Sequence, residues 1–162
     1  MITTYIGIGS NIERRKHIEA AITELSAIGC DIRLSTIYEC ESIGFDSHAF
    51  YNLVVEMKTS LTLTEFSRQL RKIELKWGRA EGAGKFEPRT VDLDIILFGD
   101  QTCAEKPELP RRDIFKYAFV LKPLLELCPQ LVVPQDGRTI EQIWQQSCFE
   151  TALEPIPVWF NQ

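Results

Sequence analysis

The sequence predicts an α+β sandwich, an antiparallel-rich sheet with helices packed on it, as a single domain over residues 1–162. Two patterns predict it. Four short segments carry apolar residues at strand spacing, and two longer ones repeat them at helical spacing. In chain order they read β-α-β-β-α-β, the ferredoxin-like split βαβ pattern. Composition agrees: a chain of 162 residues that is 44% hydrophobic and 25% charged can bury a sizeable core and is too apolar to stay disordered.

Residues 3–8 (Thr-Tyr-Ile-Gly-Ile-Gly) are short and β-prone, and Ser10-Asn11 supplies N-cap chemistry for a helix. Ile18, Ala21, Ile22, Leu25 and Ile28 follow at helical spacing, with Gly29 as the stop. Residues 31–38 read as one strand, in which Ile32 and Leu34 alternate and Ile37 follows after a slip; 39–49 read as a loop and 51–58 as the next strand. Thr62 and Glu65 have capping-box spacing, and Leu63, Phe66, Leu70, Ile73 and Trp77 step by three and four to Gly78, an amphipathic helix. A polar loop over 79–90 is long for a compact domain, a length often given over to binding. Residues 91–98 form a strand ended by Gly99-Asp100. Beyond it come a charged loop (101–113), a helical stretch over 114–128 that Pro123 kinks or divides, a short strand at 131–133, a short helix at 140–146 and an extended tail with Pro155 and Pro157.

Several function classes drop out. No apolar run approaches the roughly 20 residues of a membrane span. The N-terminus lacks the basic and apolar regions of a signal peptide, so the expected compartment is the cytoplasm. Cys30, Cys40, Cys103, Cys128 and Cys148 are odd in number and widely spaced, which fits free thiols better than disulfides or zinc. A formal charge of −5 argues against general nucleic-acid binding. That figure hides an uneven distribution. Residues 68–89 hold seven Arg or Lys against three Glu, a local basic segment that leads into acidic residues.

Those acidic residues form the most informative stretch, Pro88-Arg-Thr-Val-Asp-Leu-Asp-Ile-Ile96. Alternation puts Asp92 and Asp94 on one strand face, about 6–7 Å apart at Cα, and Val91, Leu93, Ile95 and Leu97 on the other. Two like charges side by side need compensation, and Asp is poor in strands. A divalent metal would supply it: Mg²⁺ takes one or two carboxylates plus phosphates and waters, and two ions can clamp a polyphosphate. The bland alternative is an acidic exposed strand face. Arg71 and Glu74 lie one helical turn apart, Arg79 follows the helix and Arg89 precedes the aspartates. Together they make a phosphoryl-transfer toolkit; singly, each reads as a solvated side chain. No P-loop, dinucleotide fingerprint or protein-kinase motif occurs, and Gly7 and Gly9 lack a third glycine.

Tyr5-Ile-Gly-Ile-Gly-Ser-Asn11, Arg71-Lys-Ile-Glu-Leu75 and Pro88-Arg-Thr-Val-Asp-Leu-Asp-Ile-Ile-Leu-Phe-Gly99 together resemble the 6-hydroxymethyl-7,8-dihydropterin pyrophosphokinases of folate synthesis, over residues 3 to about 137. The resemblance implies a ferredoxin-like αβα fold with helices on both sides of the sheet. It implies transfer of pyrophosphate from ATP to the hydroxymethyl oxygen of the reduced pterin, releasing AMP. Asp92 and Asp94 would hold two Mg²⁺ ions. Glu74, Arg79, Arg89 and Ile95 would face the nucleotide, with Arg79, Arg89 and the aspartates as the catalytic set. Ile43, Phe50, Asn52 and Phe119 would form the pterin pocket: an aromatic face and one aimed amide suit a flat heteroaromatic ring with polar edges. Taken alone, Asn52 and Phe119 read as a strand-end amide and a core ring. The implied partners are the two small molecules, with no nucleic acid or membrane, and a monomer is favoured.

Several positions depart from the family pattern. Phe50 stands for a tyrosine, Cys40-Glu41 for Thr-Pro, Glu81 for an arginine, Phe86 for a tryptophan and Glu87 for a small residue; Arg111 stands for a histidine and Tyr117 for an arginine. Two readings follow. Arg111, Arg112, Lys106 or Lys116 replace the lost phosphate contacts, or the chain is a divergent pterin- or nucleotide-binding paralogue with weak or no transfer. A ferredoxin-like interaction domain is a third reading, disfavoured by the aspartate pair.

Overall fold

The computed structural model describes residues 1–40, 49–78, 91–149 and 153–160. The first strand, β1, runs Ile2–Ser10 and is followed by α1 (Arg14–Ser26). Strands β2 (Cys30–Leu34), β3 (Ile37–Cys40) and β4 (Phe50–Thr59) come next, then α2 (Leu63–Lys76) and β5 (Asp92–Phe98). Two further helices, α3 (Asp113–Lys116) and α4 (Ala118–Leu127), lead to α5 (Ile140–Gln146) and a last strand, β6 (Glu154–Ile156).

Among the described residues the strands form one six-stranded sheet in the order β5-β1-β4-β3-β6, with β2 also paired to β4. Every pairing is antiparallel. Strand β4 lies between β1 and the β2–β3 arm that α1 connects to it, which is the split βαβ topology expected from the sequence.

The sheet is buried on both faces. Ile6 and Ile8 of β1, Leu53, Val55 and Met57 of β4, and Leu93 and Ile95 of β5 pack with Ile18, Ala21 and Leu25 of α1 and Phe66, Leu70 and Ile73 of α2. On the other face, Tyr5, Val54, Ile96 and Leu97 pack with Val120, Leu121, Leu124 and Leu127 of α4 and Ile140 and Ile143 of α5. Helices on both sides of the sheet are thus observed. A register shift opposite Tyr5/Ile6 lets neighbouring Ile96 and Leu97 join the same core.

The best-read element is α2. Its Thr62 side chain accepts from the Glu65 main-chain N–H and the Glu65 side chain from the Thr62 N–H, the capping box expected from the spacing. The pair Thr139 and Gln142 does the same for α5.

Five expectations need correction. Ser10-Asn11 does not cap α1. Ser10 stays in the sheet opposite Tyr51, and the cap position is Glu13, in a left-handed conformation (φ 42°) with no side-chain cap bond. Gly29 does not stop α1, which ends at Ser26; a Cβ there would lie 2.4 Å from the Lys58 carbonyl, so close approach to β4 is what requires glycine. The single strand over 31–38 is two strands, broken at Ser35-Thr36, where the Ser35 main chain donates to the Val54 carbonyl and its Oγ accepts from the Val54 N–H. Pro123 lies inside α4 and costs one intrahelical bond without dividing it; the break falls at Tyr117, which is extended (φ −129°, ψ 126°). The short strand at 131–133 is only a bridge between Val132 and Thr139.

The extended tail supplies β6, paired to β3. Trp159 beyond it packs on Tyr51, with centroids 5.9 Å apart, and its Nε1 donates to Glu19 of α1. No helix among the described residues is long and apolar enough to cross a membrane.

Two substitutions separate cap from core. Phe66 is fully buried, and Phe66→Ala should cost about 3–5 kcal/mol. Thr62→Ala should cost about 1 kcal/mol. Urea unfolding midpoints at constant slope measure both.

Candidate functional site

The site starts from β5, the last strand on its side of the sheet among the described residues. Asp92 pairs with Gly9 and Asp94 with Gly7 of β1, while Leu93 lies opposite Ile8. Leu93 and Ile95 enter the core under α1 and α2, so Asp92 and Asp94 share the other face. Farther along that face Ile96 and Leu97 are covered by α4 and α5, whereas the Asp94 side chain stays 44% exposed. The strand is therefore wet at one end and buried at the other.

An edge strand leaves main-chain groups without a strand partner. Two on β5 are met from outside the sheet. The Leu93 N–H donates to Glu74 Oε2 (2.9 Å), and the Ile96 carbonyl accepts from the Arg111 N–H (3.0 Å). The Glu74 side chain is only 8% exposed, and Arg71 approaches its other oxygen at 3.8 Å. Glu74 thus anchors the main chain between the two aspartates, a role its helical spacing did not reveal.

Asp92, Gly9, Asn52 and Tyr38 line up across four strands, and Asp94, Gly7 and Val54 form the next row. The glycines leave the floor beside both carboxylates without side chains. At Gly9 the space is used: a Cβ there would lie 2.8 Å from Asn52 Oδ1 and 3.7 Å from the Phe50 ring. The Asn52 amide and the Phe50 ring therefore lean over β1 toward the aspartates. Cys40, opposite Phe50, is buried beside Asn52; burial pushes its thiol up, and a hydrogen bond with Asn52 pulls the other way.

Helix α4 forms the upper wall. Its position over the sheet is fixed by Glu126, which accepts from the Thr36 N–H (2.8 Å) and from the Tyr38 hydroxyl. Burial and that carboxylate push Tyr38 up to about 12. Phe119, in the first turn of α4, is half-buried and stacks on Tyr117 with centroids 4.9 Å apart and 18° between planes.

Arg111 faces the carboxylates. Its Nε lies 3.0 Å from Asp113 Oδ2 and its Nη2 3.6 Å from Asp94 Oδ2. Burial works against its charge, but Asp94 and Asp113 outweigh it and the guanidinium is raised above its ordinary value.

The structure thus brings Phe50, Asn52, Asp92 and Asp94 onto one face, with Phe119 on the helix packed over that face. Ile95 is on the opposite face, packed in the core. Glu74 lies behind β5 instead of over it. Arg79, Arg89 and Ile43 lie outside the described residues, as do the departures Glu81, Phe86 and Glu87. Sequence reasoning did not foresee the Arg111–Asp94 contact or Gly9 as the seat of the Asn52 amide. A cavity of 820 Å³ opens by Asn11, Arg14, Glu39 and Tyr51, away from the aspartates. Arg14 already spans it, bonded to Glu39 (2.8 Å) and stacked over Tyr51, so it reads as a clip between α1 and the sheet.

Asp92 and Asp94 offer only oxygen ligands, which suit a hard cation. Among the described residues no group of three or more His, Cys, Asp or Glu is placed to hold a metal. Protein ligands alone would leave much of an octahedral shell to water or phosphate.

Comparison with known proteins gives the chain relatives over most of its length. The family model for 7,8-dihydro-6-hydroxymethylpterin-pyrophosphokinase (HPPK) matches residues 5–129. A protein from Aquifex aeolicus named 2-amino-4-hydroxy-6-hydroxymethyldihydropteridine pyrophosphokinase is 37% identical over 142 residues, covering 83% of this chain and 85% of the relative. Proteins of the same name from Bacillus subtilis and Pseudomonas aeruginosa are 34% and 35% identical, covering 88% and 94% of this chain and 90% and 96% of theirs. The solved structure of Plasmodium falciparum HPPK-DHPS matches with a TM-score of 0.69 over 90% of this chain and 43% of the longer one; at 14% identity it speaks to the fold.

The Glu74 anchor can be tested directly. Glu74→Ala strands the buried Leu93 N–H and should cost about 1–3 kcal/mol, whereas Glu74→Gln keeps an acceptor and should cost less. Denaturant unfolding ranks the two; an equal loss removes the anchoring role.

Proposed function

The chain belongs to the HPPK family, and from that premise we propose that it transfers pyrophosphate from ATP to the hydroxymethyl group of 6-hydroxymethyl-7,8-dihydropterin in folate synthesis. The hydroxymethyl oxygen bonds to the β-phosphorus of ATP, the bond from that phosphorus to the α-bridging oxygen breaks, AMP leaves, and the hydroxyl proton is given up. The observation that carries this reading is the wet end of β5: two carboxylates on one face over a glycine floor, with the Asn52 amide and the Phe50 ring leaning toward them.

Asn52 pairs the polar edge of the pterin, and Phe50 and Phe119 supply flat apolar faces for its ring. The phenyl ring at Phe50 keeps the stacking surface where the family pattern has a tyrosine. Asp92 and Asp94 hold Mg²⁺, two ions in this reading. Bound there, the metal neutralises and aligns the polyphosphate. The donor set fits: all-oxygen ligands on an open face. Arg79 and Arg89 bind the nucleotide from the 79–90 segment. Glu74 acts through β5, keeping the Asp92–Asp94 strand in place. Catalysis here is positioning and charge stabilisation, since phosphoryl groups need little covalent help from the protein.

A single domain over residues 1–162, a monomer, and a cytoplasmic setting complete the reading. The last is supported by five free cysteines, which suit a reducing compartment.

A coupled assay for AMP tests the proposal. The chain with Mg²⁺, ATP and the reduced pterin should release one AMP per pterin consumed. Asp92→Ala or Asp94→Ala should lower kcat on the order of 10²–10³-fold, as does removing a group that stabilises transition-state charge. Asn52→Ala should raise the pterin KM while leaving the ATP KM in place. No AMP at millimolar Mg²⁺ overturns the function, and full activity in either aspartate variant overturns the metal assignment.

A further inference from the structure

We propose that Arg111 is a resident counter-ion of the Asp92–Asp94 pair, held on Asp94 until metal and nucleotide arrive together and displace it toward phosphate. The inference rests on the pyrophosphokinase reading of the same site.

The geometry that points to it is an unequal grip. Arg111 is tied to β5 by its main chain, whose N–H donates to the Ile96 carbonyl at 3.0 Å. Its Nε is within hydrogen-bonding distance of Asp113 Oδ2 (3.0 Å), while Nη2 is 3.6 Å from Asp94 Oδ2, an ion pair beyond a good hydrogen bond. The side chain is 35% exposed, so the guanidinium borders the open face and is not locked in the core. Asp113 is the hinge partner and Asp94 the one that can be released.

Charge makes the arrangement consequential. Three carboxylates, Asp92, Asp94 and Asp113, act on one guanidinium that stays protonated at any working pH. A divalent cation and Arg111 therefore compete for Asp94. Metal alone must compete with Arg111 for Asp94 and meets no larger cluster of protein ligands among the described residues. Metal with a polyphosphate brings its own oxygen ligands, and the phosphate oxygens offer the Arg111 fork a new anionic partner. Asp113 can keep hold of Arg111 through that exchange. Binding of metal and nucleotide is then positively coupled through one side chain.

The experiment uses Mn²⁺, counted as free ion by electron paramagnetic resonance, with metal-stripped full-length protein. Without nucleotide, Arg111→Gln should bind Mn²⁺ about tenfold tighter than the unmodified chain, in the range of ordinary coupling energies. Arg111→Lys, which keeps the charge, should behave like the unmodified chain. With α,β-methylene-ATP present the order should reverse, Arg111→Gln binding the Mn²⁺–analogue complex more weakly. A merely structural arginine would weaken both. Asp113→Asn gives an independent reading: freed from its tighter partner, Arg111 should press harder on Asp94 and weaken Mn²⁺ binding without nucleotide. If Arg111→Gln binds Mn²⁺ no tighter, or Asp113→Asn leaves the affinity unchanged, while the analogue still recruits Mn²⁺, the counter-ion role is overturned and the proposed function stands. If no protein takes up Mn²⁺ even with the analogue, both fall.

Discussion

Everything at the candidate site depends on one strand being asked to serve two cores and a solvent-facing surface at once. Period-two alternation sends Leu93 and Ile95 under α1 and α2. The same alternation obliges Asp92 and Asp94 to face the other way. A few residues on, that other face is itself a packed core, under α4 and α5. The register shift opposite Tyr5/Ile6 lets β5 fill this second core with two neighbouring residues before the strand ends. The carboxylates owe their position to apolar burial on either side of them.

Such a strand is exposed to failure at its edge, and the structure meets the difficulty with charged residues placed outside the sheet. Glu74 reaches from α2 to the Leu93 N–H, and Arg111 bonds the Ile96 carbonyl through its main chain. A buried carboxylate is costly unless satisfied, and a main-chain donor together with Arg71 satisfies this one. The acid behind the strand and the acids in front of it thus have different work. Placing Glu126 under the Tyr38 hydroxyl and the Thr36 N–H does for α4 what Glu74 does for β5.

Local signals were legible and paired ones were not. The α2 capping box, the β5 alternation as far as Ile95 and the shared face of Asp92 and Asp94 rest on spacings of two to four residues, which a single sequence displays; Leu97, expected beside Leu93 and Ile95, lies in the other core because of the register shift. The break at Ser35-Thr36 is made by Val54, a partner that only the sheet supplies. Gly29 looked like a helix stop because glycine is common there; its reason lies across the sheet at Lys58. Pro123 was read as a kink or a divider because it removes an N–H, and it divides nothing because the apolar face of the helix is clasped by the second core. Within the candidate site, Asp92, Asp94 and Asn52 could be read from pattern and resemblance. The seat of the Asn52 amide over Gly9, the turn of Glu74 toward main chain and the reach of Arg111 to Asp94 depend on registers between elements far apart in the chain.

The sixth strand bears on how the molecule is made. Residues 37–39 cannot complete their outer hydrogen bonds until residues 154–156 exist, because β6 is what covers that side of β3. Contacts so distant in sequence form late and slow a fold. During synthesis, then, β3 stands as a bare sheet edge for most of the time the chain is emerging, the kind of edge to which other strands adhere. The pairing of β6, with Trp159 pressed on Tyr51 behind it, closes that edge last. Loss of the segment would therefore be felt first as a lower yield of soluble protein from cells, before any fault in catalysis could be measured.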